Sequence, residues 1–208
     1  MDKKNNKPKH SDEPDDYVLR SERLRSIIKP LRSSTYSTDM HWSSIEKMFK
    51  AWTEDYGKMD LNPDFQRGHV WTDEQRIHYL ENALRGLVGA NGFIIQFNCP
   101  NFEDEEYTGE LPRGIQCIDG LQRLTTVIEF MKGNLKPFGF TPVDLERSEF
   151  MVKSRFRFTF QIYDFRHRVD LLQHYLDLNT GGTPHSAEEI ERVRKLQNDA
   201  RRVKEGHD

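Results

Sequence analysis

One stretch of the chain, CIDGLQRLTTVIEFMKG at residues 117–133, constrains the fold more than any other. It begins with the end of a short apolar run, turns at Asp119 and Gly120, and continues with apolar residues at helical spacing. This order predicts a buried strand that passes through a tight turn into a helix. At such a junction the first N–H groups of the helix lack partners within the helix, and anions are often bound there.

The junction has two interpretations. In the first it is only a turn, because Asp-Gly is a common turn dipeptide and Gln122 and Arg123 suit the first turn of a helix. In the second it is a phosphate site. Gly120 would let the backbone approach an oxyanion, Arg123 would supply a bidentate charge, and Asp119 would hold a magnesium-bound water or orient Arg123. The junction alone does not decide between them.

Two other polar stretches are candidates for a site. Gln66 and Arg67 lie in a predicted loop, just before the sequence T-D-E-Q, which is typical of a capping box that opens a helix at Thr72. The stretch LNTGGTP at residues 178–184 places two glycines shortly after Asn179. It is either an ordinary helix end or a flexible backbone segment that offers amide donors.

The distribution of apolar residues predicts an α+β chain with short strands between helices. Residues 1–16 are almost entirely polar and are predicted to form a disordered arm. Residues 17–200 are predicted to form a single domain, and residues 201–208 a frayed tail.

Charged and aromatic residues alternate along residues 153–163. Alternation predicts a strand with Phe156, Phe158 and Phe160 on a buried face and cations such as Arg157 on the solvent face. Cations interleaved with aromatics also occur on surfaces that bind single-stranded nucleic acid. Core packing of the aromatics is the simpler interpretation, because all three point to the same face.

Composition excludes several classes of protein. The net charge is -3 over 208 residues, so any DNA contact would need a local basic patch. Cys99 and Cys117 are the two cysteines and form no C-x-x-C pair, which argues against a zinc site and a disulfide framework. No apolar run approaches the length of a membrane span, and the first residues lack the apolar segment of a signal peptide. These features predict a cytoplasmic protein with no membrane partner.

Three segments occur in the order of a known family: NPDFQRGHVWTDEQRIHYLENALRG, IQCIDGLQRLTTVIEFMKG and LNTGGTPHSAEEIERVRK. Together they resemble the N-terminal domain of GmrSD-type modification-dependent restriction enzymes over about residues 60–195. The resemblance implies a ParB/sulfiredoxin-like α+β fold. It also implies binding and Mg²⁺-dependent hydrolysis of a nucleoside triphosphate, coupled to DNA restriction.

The resemblance also assigns site residues. It implies catalytic roles for Asp119, Gln122 and Arg123, with Asp119 or Gln122 placing the metal or water and the arginines neutralising phosphate charge. Leu121 stands where the family motif has a glutamine, so the resemblance supports nucleotide hydrolysis less strongly than nucleotide binding. The residues expected to bind the nucleotide are Gln66, Arg67, Gly120, Asn179, Gly181 and Gly182.

No segment of the His-Asn-His nuclease type follows the third motif. The resemblance therefore leaves three expectations open: a nucleotide-responsive subunit that works with a separate nuclease, a small hydrolase, or a decoy that occupies a defence complex. The alternative from another class is a non-catalytic module that binds DNA or protein. A homo-oligomer is compatible with each of them.

Overall fold

The structure is a computed structural model that describes residues 16–68, 70–180 and 187–205. The chain divides into two compact units, residues 1–32 and residues 33–208. The first unit carries helix α1 (Asp16–Ile28), and the second carries every other element described below. The sequence predicts a domain that starts at residue 17. The second compact unit starts at Ser33, and α1 lies in the first unit.

In the part of the second unit that the structure describes, the strands form one five-stranded sheet. Its strands are β1 (Tyr36–His41), β2 (Met59–Asp60), β3 (Ile94–Asn98), β4 (Ile115–Asp119) and β5 (Arg157–Tyr163), in the spatial order β1-β5-β3-β4-β2. The sheet is mixed, because β5 and β3 are parallel, β4 and β2 are parallel, and the other two neighbouring pairs are antiparallel. Helices combined with a mixed sheet confirm the predicted α+β class.

The described residues of this unit form six α-helices: α2 (Ile45–Tyr56), α3 (Asp73–Leu84), α4 (Leu121–Met131), α5 (Val152–Arg155), α6 (Arg168–Thr180) and α7 (Ala187–Glu205). The capping box predicted at the start of α3 is present. The Gln75 N–H donates to Thr72 Oγ1 at 3.3 Å, and the Thr72 N–H donates to Gln75 Oε1 at 2.9 Å. Helix α7 continues to Glu205, so the residues predicted to fray from position 201 are helical up to that point.

The predicted alternation holds for β5, where Phe158 and Phe160 are fully buried and Arg157 is exposed. The strand starts later than the sequence predicts, because residues 152–155 form the single turn of α5 around the buried Val152. Lys153 and Arg155 therefore lie on a helical turn and not on the strand.

Two hydrophobic cores lie on opposite faces of the sheet. Successive strand residues point to opposite faces, and Cys117 belongs to one core while Ile118 belongs to the other. The first core contains residues of α2, α3 and α4, and the second contains residues of α6 and α7 together with Phe65. Strand β4 is thus covered on both faces, and the junction at its carboxyl end lies where the two cores meet.

Candidate functional site

A cavity of about 570 Å³ opens at the carboxyl end of β4. It brings together residues from all three sequence segments, although these are far apart along the chain. The predicted site residues that line it are Gln66, Arg67, Asp119, Gly120, Gln122, Arg123 and Asn179. Gly181 and Gly182 lie outside the described residues.

Gly120 makes the turn from β4 into α4 and has a φ of +93°, in the left-handed region that favours glycine. A Cβ atom at this position would lie 2.5 Å from Ile95 Cδ1 and 3.3 Å from the Ile94 carbonyl oxygen. The first helical hydrogen bond runs from Leu124 N–H to the Gly120 carbonyl at 2.9 Å. The N–H groups of residues 121–123 precede that bond and have no acceptor within the helix, which places an anion-favouring helix end at the cavity.

Arg123 is held at this junction by two contacts. Its Nη2 lies 2.5 Å from Asp119 Oδ2, and its Nη1 donates to the Asn91 carbonyl oxygen at 2.6 Å. A guanidinium has five N–H donors, so these bonds orient the group and leave donors for a ligand. The interpretation of Asp119 as the residue that orients Arg123 therefore agrees with the geometry.

Gln122 uses its side-chain amide to hold the loop of residues 63–71. Its Nε2 donates to the Gly68 carbonyl oxygen at 2.5 Å, and its Oε1 accepts from Val70 N–H at 3.1 Å and from Trp71 N–H at 3.2 Å. An amide oxygen has two lone pairs, and both are taken by the loop. The geometry therefore favours a positioning role for Gln122 over the predicted role of placing a metal or a water.

Gln66 fixes the same loop from its other side. Its Nε2 donates to the carbonyl oxygens of Cys117 at 3.1 Å and Ile118 at 2.7 Å, both on β4. The preceding residue, Phe65, is fully buried in the second core and packs against the Tyr175 ring at 5.2 Å between centroids. The backbone on the N-terminal side of Arg67 is therefore anchored by one buried ring and one bound amide.

Arg67 is the more accessible of the two arginines that line the cavity. Its side chain is 38% exposed, compared with 17% for Arg123. Its Nη1 lies 3.8 Å from the Oε2 atom of Glu189 on α7, which is a long separation for an ion pair. Arg67 is therefore placed to exchange this contact for an anionic ligand.

Asn179 sits at the edge of the cavity near the end of α6. Its Nδ2 donates to the Tyr175 carbonyl oxygen at 2.6 Å, a bond back to the preceding helical turn. Tyr175 also lines the cavity, and burial, together with the charge of Glu189, raises the pKa of its phenol. The hydroxyl of Tyr175 is therefore neutral at physiological pH.

Leu121 departs from the family motif, but the structure places it in the first core with only 3% of its surface exposed. It also lies among the residues that line the cavity. The leucine therefore replaces a polar group mainly where the helix packs against the core, and the polar side of the cavity is formed by other residues.

Sequence reasoning missed several residues of the site. Trp71, Asn91, Ile118 and Leu178 line the cavity but are not among the predicted site residues. Arg192 on α7 was also missed. Its guanidinium donates to the carbonyl oxygens of Asp64 at 2.6 Å, Phe65 at 2.8 Å and Gln66 at 3.2 Å. These acceptors lie 126 to 128 residues earlier in the chain, so no local sequence signal could have revealed the contact.

The fold and the site define an α+β domain with a glycine turn, a helix N-terminus and two arginines around one cavity. The chain belongs to the family of the GmrSD restriction endonuclease N-terminal domain, whose family model matches residues 45–204. This confirms the resemblance found in the three sequence segments, and it associates the chain with restriction systems. Searches of curated proteins and of solved structures found no match. The ParB/sulfiredoxin-like topology therefore stays a prediction.

The described residues contain neither a candidate membrane span nor a candidate metal cluster. In that part of the chain no helix has both the length and the apolar character needed to cross a membrane. No group of three or more His, Cys, Asp or Glu side chains in residues 16–68, 70–180 and 187–205 is arranged to hold a metal ion.

Proposed function

We propose that this chain binds a nucleoside triphosphate in the cavity at the end of β4, and that it hydrolyses the nucleotide slowly with Mg²⁺ in DNA restriction or its regulation. One observation carries the proposal: two arginines and the N-terminus of α4 converge on a cavity of about 570 Å³. That volume is within the usual range for sites that bind small molecules, roughly 300–1,000 Å³.

The phosphates belong at the polar side of the cavity. The N–H groups of residues 121–123 point out of the helix end, where an oxyanion can accept hydrogen bonds from them. Arg123 is held in a fixed orientation by Asp119 and Asn91, so it can offer a preformed pair of donors. Arg67 supplies a second positive charge from the opposite loop.

The base and sugar would contact the apolar residues that line the cavity. These are Trp71, Ile118, Tyr175 and Leu178. Aromatic rings stack on any nucleobase, because every base has a π face, and this contact does not select among bases. The cavity therefore offers both charged groups for the phosphates and aromatic rings for a base.

A magnesium ion would be held in this cavity by Asp119. Among the described residues that line the cavity, Asp119 supplies the only carboxylate. Mg²⁺ is commonly bound through one or two carboxylates together with substrate phosphates and water, so one acid is sufficient. Asp119 would hold the ion, and the bound ion would neutralise charge on the phosphates. Because Asp119 also contacts Arg123, metal and arginine compete for this carboxylate.

A second function is favoured by the bonding of Gln122. Because its amide oxygen is saturated by the loop, it is not free to orient a water for hydrolysis. This observation supports a module that binds a nucleotide without hydrolysing it. The nucleotide-bound form would then bind DNA, a separate nuclease or another defence protein. A decoy of a defence complex would fit the same geometry.

Calorimetric titration with ATP and GTP, with and without Mg²⁺, tests binding. We expect micromolar affinity for the wild-type protein and a loss of at least tenfold for Arg67→Ala and for Arg123→Ala. Arg157→Ala is the matched control, because it removes an exposed cation on β5 that does not line the cavity. Equal affinity in all four proteins would contradict the proposal.

Steady-state phosphate release separates the two candidate functions. Measurable release that requires Mg²⁺ supports the hydrolase. Tight binding without release supports the non-catalytic module, and no binding of either nucleotide by the wild-type protein excludes both.

A further inference from the structure

The loop of residues 63–71 has no regular secondary structure in its described part, yet side chains from several elements fix its backbone. Gln66 binds it to β4, and Gln122 binds it to α4. Arg192 binds it to α7, and Arg168 on α6 contacts Asp64 Oδ2 at 2.5 Å. A loop with this many long-range anchors is held in one conformation, as a preformed binding surface requires.

Arg192 makes the most concentrated of these contacts. One guanidinium serves three successive carbonyl oxygens, those of residues 64, 65 and 66. Carbonyls that point to the same place repel one another, and a planar group with several donors can satisfy them together. A lysine ammonium has three donors on a single nitrogen and cannot span the same acceptors in this way.

Helix α7 also contacts the side chain that the loop presents. Glu189 lies one helical turn before Arg192, so both residues are on the same face of α7. Arg192 binds the backbone just before Arg67, while Glu189 lies 3.8 Å from the Arg67 guanidinium. One face of α7 therefore contacts both the backbone next to Arg67 and the guanidinium of Arg67.

We propose that Arg192 is a positioning residue of the nucleotide site. By fixing the carbonyls of residues 64–66 it places Arg67 at the cavity, where Arg67 meets the phosphates of the ligand. This inference rests on the function proposed above. Arg192 does not itself line the cavity, so its effect on the ligand passes through Arg67.

Hydrogen–deuterium exchange without ligand tests the clamp alone. Arg192→Ala should raise the exchange rate of the amides in residues 64–71 at least tenfold and leave α3 and α4 unchanged. Arg192→Lys should give an intermediate exchange rate. If Arg192→Ala does not fold, Arg192→Lys is the variant that tests the clamp. Lys195→Ala is the matched control, because it removes an exposed cation from the same helix. Unchanged exchange at residues 64–71 in Arg192→Ala and Arg192→Lys would overturn the clamp.

Binding of ATP then tests the link to Arg67. Arg192→Ala should weaken binding about tenfold in the wild-type background and have almost no further effect when Arg67 is already alanine. Arg192→Lys should recover part of the loss. Equal losses in the two backgrounds would show that Arg192 acts independently of Arg67 and would overturn the inference. If the wild-type protein binds no triphosphate, the proposed function fails as well, while the exchange experiment still decides the clamp.

Discussion

Gln66 and Gln122 hold the same loop through reciprocal contacts. The amide of Gln66 reaches from the loop to the carbonyls of β4, and the amide of Gln122 reaches from α4 to the backbone of the loop. Both glutamines were selected from the sequence as ligand-binding or catalytic residues. The bonds that they make in the structure fix the position of the protein's own backbone.

The first prediction separates a structural from a chemical role for Gln122. In Gln122→Glu the side chain can still accept from the N–H groups of Val70 and Trp71. In the wild type the Gly68 carbonyl oxygen accepts a hydrogen bond from Gln122 Nε2, and in the variant it faces a carboxylate oxygen in place of that donor. We expect the free energy of unfolding to fall by about 1–3 kcal/mol, because a buried polar contact becomes repulsive. Urea unfolding measures this loss. Full stability with a loss of turnover alone would support a catalytic role.

Gly120→Ala is expected to destabilise the junction. The left-handed φ of +93° costs a residue with a Cβ about 1–2 kcal/mol, and the new atom would also overlap Ile95 Cδ1. Thermal unfolding of Gly120→Ala, with and without Ile95→Val, separates the two causes. Because valine lacks the Cδ1 atom, Ile95→Val should cost less in the alanine background than in the wild type. Equal costs would show that the overlap is relieved in another way.

Asp119→Asn tests the metal. Removing the carboxylate should abolish the dependence of ATP affinity on Mg²⁺, since Asp119 is the only carboxylate among the described cavity residues. Binding without Mg²⁺ should be retained, because the amide oxygen of the new side chain can still accept from Arg123 and keep it oriented. Titrations of both proteins with and without the ion measure this. A Mg²⁺ dependence that survives in Asp119→Asn would place the metal on other groups.

Phe158→Ala and Arg157→Ala test the two faces of β5. Phe158 is fully buried against Trp42 and Phe160, so its truncation should lower the free energy of unfolding by about 3–5 kcal/mol. Arg157 is exposed, and its alanine variant should lie within about 0.5 kcal/mol of the wild type. A stable Phe158→Ala protein with weakened DNA binding would instead identify this face as a nucleic-acid surface.

Alkaline pH should destabilise the fold through its buried thiols. Burial raises the pKa of Cys99 from 9.0 to about 11 and also raises the pKa of Cys117. The folded state therefore keeps neutral thiols that the unfolded chain ionises. The stabilisation is complete below the ordinary thiol pKa and is lost as the pH rises from 9.0 towards 11. Urea midpoints across this range should fall less steeply in Cys99→Ala, and an equally steep fall would assign the effect to other groups.

Local patterns predicted the parts of the fold that depend on neighbouring residues. The capping box at Thr72 and the turn at Gly120 involve residues within a few positions of one another, so the sequence contains the whole signal. Strand β1 was missed because YSTDMH contains few apolar residues, and its pairing with β5 defines it as a strand. The two residues of β2 are likewise defined by their partner β4.

The structure brings the described members of the predicted set together at one cavity, while their roles as ligand-binding or catalytic residues stay predictions. The residue types in the three segments indicate an anion site, and the described members of the predicted set do line one cavity. The role of a glutamine depends on which backbone groups lie within about 3 Å, and this distance is fixed by packing between distant segments. The bonds of Gln122 to the loop span 51 to 54 positions, which no local pattern reports.

The contact between Arg192 and residues 64–66 has a consequence for the order in which the chain is made. A ribosome adds roughly 5–20 residues per second, so Arg192 is synthesised on the order of ten seconds after the carbonyls that it binds. During that interval β4 and α4 are also synthesised. The last anchor of the loop arrives only with α7, so a growing chain cannot acquire the complete arrangement of this site before α7 has been made.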